Sequence, residues 1–82
     1  RSDEAVALIN QLMVDIRLLS FNEQACYIFG KLFRDLQQKG KPTQIPDLMI
    51  GSITLAYSLI LITRNKKDFL NIPNLKIETW EP

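Results

Sequence analysis

Between Lys41 and Arg64 the chain carries one charged side chain, Asp47, in an otherwise largely apolar stretch. Pro46 stands near its start, where a fixed φ and a missing N–H suit the first position of a helix. From Pro46 to about Ser58 apolar residues fall on nearly every side, which predicts a buried helix rather than an amphipathic one. Leu59-Ile60-Leu61-Ile62-Thr63 follows as a continuous apolar run, the pattern of a strand buried on both faces of a parallel sheet. A buried helix feeding such a strand points to a layered α/β architecture.

The flanking segments fit that class. Ala5, Leu8, Ile9, Leu12 and Met13 repeat at helical spacing and predict an amphipathic helix over Asp3 to Val14, capped by Ser2 or Asp3. Ile16 to Leu19 reads as a short strand. A second helix starts at Ser20 or Asn22, both good caps, with Ala25, Phe29, Leu32, Phe33 and Leu36 as its buried stripe. Lys31, Arg34, Asp35, Gln38 and Lys39 fall on its water-facing side. Gly40 suits the position just past the helix end, and Pro42 forbids continuation. Asn65 to Asn74 holds charges, a short helical turn and Pro73, and Leu75 to Trp80 reads as a closing strand. Residues 1–82 read as one domain of order α-β-α-α-β-β, with no repeats, low-complexity tracts or linkers.

Composition narrows the function classes. Ten basic and nine acidic residues leave a formal charge of +1, so any nucleic-acid contact must rest on local patches. There is no His, which removes the commonest general base and zinc ligand. The single Cys26 cannot form an internal disulfide, and a reducing cytoplasm is expected. Close to a buried stripe and without a basic activator, it reads as an inert core thiol. The longest uncharged run, Leu48 to Thr63, is 16 residues and below spanning length, so no membrane span is expected, nor a secretory signal.

Two acids carry the chemistry. Asp47 in a first helical turn has an ordinary structural role, since the helix dipole favours an acid there by about 0.3–1 kcal/mol. Asp68 adds a second possibility. A helix of about 12 residues climbs roughly 18 Å, and a five-residue strand returns about 16–17 Å. Asp47 and the turn after Thr63 should therefore emerge at one edge, beyond the strand's carboxyl end, where open α/β sheets place their ligands. With Thr63 and Asn65 beside them, two carboxylates there make a hard oxygen site suited to Mg²⁺ or Mn²⁺. Arg64, Lys66 and Lys67 flank it. They could contact phosphate, but three charges in a loop are usually just solvated. Phe69 and Trp80 read as core packing rather than base stacking.

Several spaced motifs resemble the C-terminal half of VapC-type PIN domains. They are Asp47-Leu48-Met49-Ile50 at a helix start, Ile60-Leu61-Ile62-Thr63 as an aliphatic strand, then Asn65, then Asp68-Phe69. Ile72-Pro73-Asn74-Leu75 followed by Ile77-Glu78-Thr79-Trp80 resembles the family's closing strand. Leu18-Leu19-Ser20-Phe21-Asn22 and Lys39-Gly40-Lys41-Pro42 resemble the start and exit of its penultimate long helix. Gly51, where Ala is usual, is a small departure, costing about 1 kcal/mol of helix propensity.

The resemblance implies a PIN-like three-layer α/β fold with a parallel sheet, and a divalent-metal-dependent endoribonuclease acting as the toxin of a toxin–antitoxin pair. It implies an RNA substrate, an antitoxin partner and a Mg²⁺ or Mn²⁺ cofactor. Asp47 and Asp68 would be metal ligands, and Thr63 and Asn65 would orient ligand or water. Arg64, Lys66 and Lys67 would contact RNA. The family has four acidic positions, and nothing here matches the first two. Asp3 and Glu4 head a helix and read as surface acids.

The family's N-terminal strands are likewise unmatched, and sheet edges lacking them leave backbone groups unsatisfied at about 1–3 kcal/mol each. The expectation is a partial PIN-like domain, inactive by itself, that forms a homo-oligomer or is completed by an N-terminal half. The rival expectation is a non-catalytic interaction module, a toxin remnant that binds an antitoxin or a second PIN-like chain.

Overall fold

A computed structural model describes residues 3–6 and 19–79 of the chain. Residues 3–6 are helical, with Asp3 and Glu4 exposed as expected. The remainder of the first predicted helix and the predicted strand Ile16 to Leu19 lie outside the described residues, except Leu19, which is not in a strand. Trp80 also lies outside them.

Helix α1 spans Glu23–Gln38. Asn22, not Ser20, is its cap: the Asn22 side-chain oxygen accepts the Ala25 N–H at 2.8 Å. The Ser20 carbonyl accepts the Asn22 N–H at 2.9 Å and also the Tyr57 hydroxyl at 3.3 Å. At the other end Gly40 adopts φ +69°. Its N–H donates to Gln37 O, and that of Lys41 donates to Leu36 O, which together make a Schellman motif.

Helix α2 spans Ile45–Ala56, so Pro46 is its second residue rather than its first. It ends in the same motif, with Ser58 at φ +55°: the Ser58 N–H reaches Leu55 O and the Leu59 N–H reaches Thr54 O. The hydroxyls within this apolar helix serve its own backbone. Ser52, fully buried, donates to Leu48 O at 2.7 Å, and Thr54 donates to Ile50 O at 2.8 Å.

Strand β1 spans Ile60–Thr63 and strand β2 spans Lys76–Thr79. They pair in parallel, with Ile60 opposite Lys76 and Thr63 opposite Thr79. Parallel pairing forbids a tight hairpin, and residues 64–75 make the crossing through a 3-10 turn at Lys66–Phe69. Leu32 and Leu36 from α1, Leu48 from α2, Phe69 and Ile72 form the buried core. Leu61 of β1 and Ile77 of β2 pack against it, so the helices cover one face of the two-stranded sheet.

Three expectations are corrected. Ile60 and Ile62 are 52% and 61% exposed, so within the described residues β1 is covered on one face only, where Leu61 and Thr63 are half-buried. Leu61 turns toward the helices, and its neighbours in sequence must point the opposite way. On α1 the buried residues are Ala25, Leu32 and Leu36, while Phe29 is half-buried and Phe33 exposed. The covered stripe is narrower than the apolar one. Cys26 is exposed rather than a core thiol.

Candidate acidic site at the carboxyl end of the first strand

Each predicted acid is positioned by the buried residue that follows it. Leu48 is 1% exposed and Phe69 5%, and both belong to the same core cluster. Asp47 immediately precedes Leu48 in the first turn of α2, and Asp68 immediately precedes Phe69 in the 3-10 turn. Helix α2 packs against that turn. The packing that buries Leu48 and Phe69 thus gathers the two acid-bearing turns over one core. Asp47 is half-buried there and Asp68 exposed.

The turn after β1 has its own local logic. Thr63 is the last strand residue, and its Oγ1 accepts the Asn65 N–H at 3.0 Å, a side-chain turn that ends the strand. The Asn65 carbonyl in turn accepts the Asp68 N–H at 3.0 Å and starts the 3-10 turn. Thr63 and Asn65 therefore build the loop that presents Asp68. Thr63 is half-buried and Asn65 exposed, while Arg64, Lys66 and Lys67 are exposed on the same loop.

The donor set is one of oxygens: two carboxylates, an amide and a hydroxyl. That chemistry fits a hard divalent cation such as Mg²⁺ or Mn²⁺. The set is small, however, and no cluster of three or more acidic, thiol or imidazole groups is assembled among the described residues. One neighbour was not read from the sequence. Thr79 lies opposite Thr63 in the parallel register, a long-range pairing that no local pattern reports.

A helix pair packed on a parallel pair of strands, with Asp47 and Asp68 each beside a residue of one core, is consistent with an α/β domain of the PIN kind. No family model matches the chain. The curated relatives are more specific. Over 77 residues it is 35% identical to ribonuclease VapC2 of Rickettsia felis, a match covering 88% of this chain and 58% of that protein. Over 78 residues it is 32% identical to ribonuclease VapC1 of Haemophilus influenzae strain R2866, covering 95% and 58%.

Solved structures agree. VapBC-1 from nontypeable Haemophilus influenzae matches with a TM-score of 0.80 and 32% identity, covering 95% of this chain and 58% of that one. VapBC2 from Rickettsia felis, solved bound to a promoter DNA fragment, matches with a TM-score of 0.80 and 28% identity, covering 99% and 61%. By sequence and by fold the chain is a relative of the VapC-type PIN toxins. It spans a little under three fifths of the length of the curated relatives it matches.

Proposed function

We propose that this chain is part of a divalent-metal-dependent endoribonuclease of the VapC kind, contributing Asp47 and Asp68 to its metal-binding carboxylates. The observation that carries the reading is the shared core of Leu48 and Phe69, which draws the two acid-bearing turns together. The names of the relatives, ribonucleases over nearly the whole of this chain, agree with it.

Mg²⁺ or Mn²⁺ bound there would activate a water and offset charge building on a phosphate. Asp47 and Asp68 would hold it. Asn65 and Thr63 fix the loop beside it and orient ligand or water, and Arg64, Lys66 and Lys67 would meet RNA phosphates. Two carboxylates are half the number the resemblance implies, so the chain alone should have little activity. Its expected partners are an antitoxin, since the related structures are VapBC assemblies, and either a second copy or a complementing N-terminal half. Among the described residues no helix is long and apolar enough to cross a membrane. With one unpaired Cys26, a cytoplasmic setting fits best.

The second reading, a non-catalytic module that binds an antitoxin or another PIN-like chain, draws on the uncovered face of β1. Titration with Mn²⁺, followed by electron paramagnetic resonance and by cleavage of a fluorescent single-stranded RNA, separates the two. The nuclease reading expects measurable Mn²⁺ binding that falls at least about tenfold in Asp47→Asn and in Asp68→Asn, consistent with loss of a coordinating carboxylate. Mn²⁺ binding unchanged in both variants would leave the interaction module. Robust cleavage that survives Asp47→Asn would place the chemistry elsewhere.

A further inference from the structure

The end of α1 and the start of α2 line a shallow groove of about 380 Å³. It is lined by Phe33, Gln37, Pro42, Thr43, Gln44 and Ile45. We propose that this groove receives an unpaired RNA base next to the acidic site, a contact that rests on the endoribonuclease reading and extends it to how the strand is held.

The lining has the chemistry such a base needs. Phe33 is 39% exposed, and its ring stacks on Phe29 at 6.1 Å with the planes 15° apart. One side of the ring is thus backed by a second aromatic while the residue still meets solvent. Pro42 and Ile45, the latter 46% exposed, supply further apolar wall. Bases stack on such surfaces regardless of sequence, because every base has a π-face.

The polar lining is uncommitted. Gln44 occupies the cap position of α2, where Ser, Thr, Asp or Asn is usual, yet its side chain makes no capping bond. The side chains of Gln37 and Thr43 likewise have no hydrogen-bond partner among the described residues. Amides and hydroxyls beside an aromatic platform can meet the donor and acceptor edges of a splayed base.

Charge and position select RNA as the occupant. Lys39 and Lys41, both exposed, lie on the α1–α2 connection, Lys41 directly before Pro42. Gln44, which lines the groove, stands three residues before Asp47 at the start of α2 and so on the same side of the helix, which brings the groove next to Asp47. A strand entering the groove would meet the charges of Lys39 and Lys41 on the α1–α2 connection. An apolar protein segment would use the wall but not the amides or the lysines.

The test uses the full chain and a short single-stranded RNA with 2-aminopurine at successive positions. Anisotropy reads affinity, and 2-aminopurine quenching reads stacking. Phe33→Leu keeps apolar bulk and removes the platform; Gln44→Ala removes an exposed amide that holds no bond, and so keeps the fold. The expected results are quenching at one position in the wild type, with about tenfold weaker binding and loss of that quench in Phe33→Leu. Gln44→Ala should bind a few-fold more weakly, and Lys39→Gln/Lys41→Gln should flatten the salt dependence.

Unchanged affinity and quenching in both Phe33→Leu and Gln44→Ala overturn the inference and leave the metal site standing. So does a wild type that binds Mn²⁺ but no RNA. Phe33→Leu weakening only the capture of an antitoxin makes the groove a protein interface, which also overturns it. Loss of the nuclease reading itself is read separately, in the Mn²⁺ titration.

Discussion

The two faces of β1 have opposite surroundings. Leu61 packs against the core cluster of Leu32, Leu36, Leu48, Phe69 and Ile72, whereas Ile60 and Ile62 stand more than half exposed on the other side. In sequence the exposed face, Ile60 and Ile62, is no less apolar than the covered one, Leu61 and Thr63. Only one finds a partner among the described residues. On β2 the residues exposed beside them are Lys76 and Glu78, register partners of Ile60 and Ile62, the kind of charges that blunt a sheet edge. The difference teaches that an apolar strand pattern states a demand for cover on both sides. It does not state who supplies that cover.

The widest gap between the faces should appear on truncation. Leu48→Ala removes a side chain that is 1% exposed and is expected to cost about 2–5 kcal/mol, read as a shift in the urea midpoint. Ile62→Asn on the bare face should change stability by no more than about 0.5 kcal/mol at low protein concentration. If Ile62→Asn destabilises as strongly as Leu48→Ala, and more so at higher concentration, the bare face is covered by a second copy. The comparison between faces then breaks for the assembled protein.

A smaller effect tests how the covered side is closed off. Both helices end in Schellman motifs, but α1 puts Gly40 in the left-handed position at φ +69° and α2 puts Ser58 there at φ +55°. A Cβ at Gly40 would meet nothing within 4 Å, so Gly40→Ala isolates the backbone penalty, about 1 kcal/mol of lost stability. Ser58→Gly should relieve a similar strain and raise the melting temperature, less its own gain in unfolded-state entropy. A Ser58→Gly chain that melts lower would mean that this residue holds β1 in place through its side chain.

What was legible follows from range. The exit of α1 at Gly40 and Pro42 is a rule about adjacent residues, and it reads directly. Asp47 stands out because no other charge shares its stretch, and Phe69 reads as core packing, as its burial bears out. The choice of Asn22 over Ser20 as cap was not legible, because both fit locally. In the fold the Ser20 carbonyl instead serves Asn22 and Tyr57, the latter 37 residues away. Phe33 and Cys26 were misplaced for a related reason. Helical spacing marks an apolar stripe, but the width that is covered depends on where α2 crosses it. The Thr63–Asn65 turn and the Thr63–Thr79 register likewise need the folded chain.

The smallest expected effect lies at Gly51, on the covered side. From sequence this glycine is only a loss of helix propensity. In the fold it is buried, and a Cβ there would stand 2.7 Å from Ile72 Cδ1 and 3.7 Å from Leu75 Cδ2. The glycine thus lets the segment before β2 settle closely onto α2. Gly51→Ala sets two terms against each other. Alanine favours the helix by about 1 kcal/mol. The contact forces Ile72, 3% exposed, to move the tip of its side chain, and an off-rotamer torsion of about 30° costs roughly 0.5–1.5 kcal/mol. Because the contact is with a side-chain end and not with backbone, the terms should nearly cancel, leaving a change within about 0.5 kcal/mol in urea unfolding. A loss above about 2 kcal/mol would mean that Ile72 has no free rotation left. The covered face would then be packed without slack beneath the turn that carries Asp68, a rigidity the bare face of β1 lacks among the described residues.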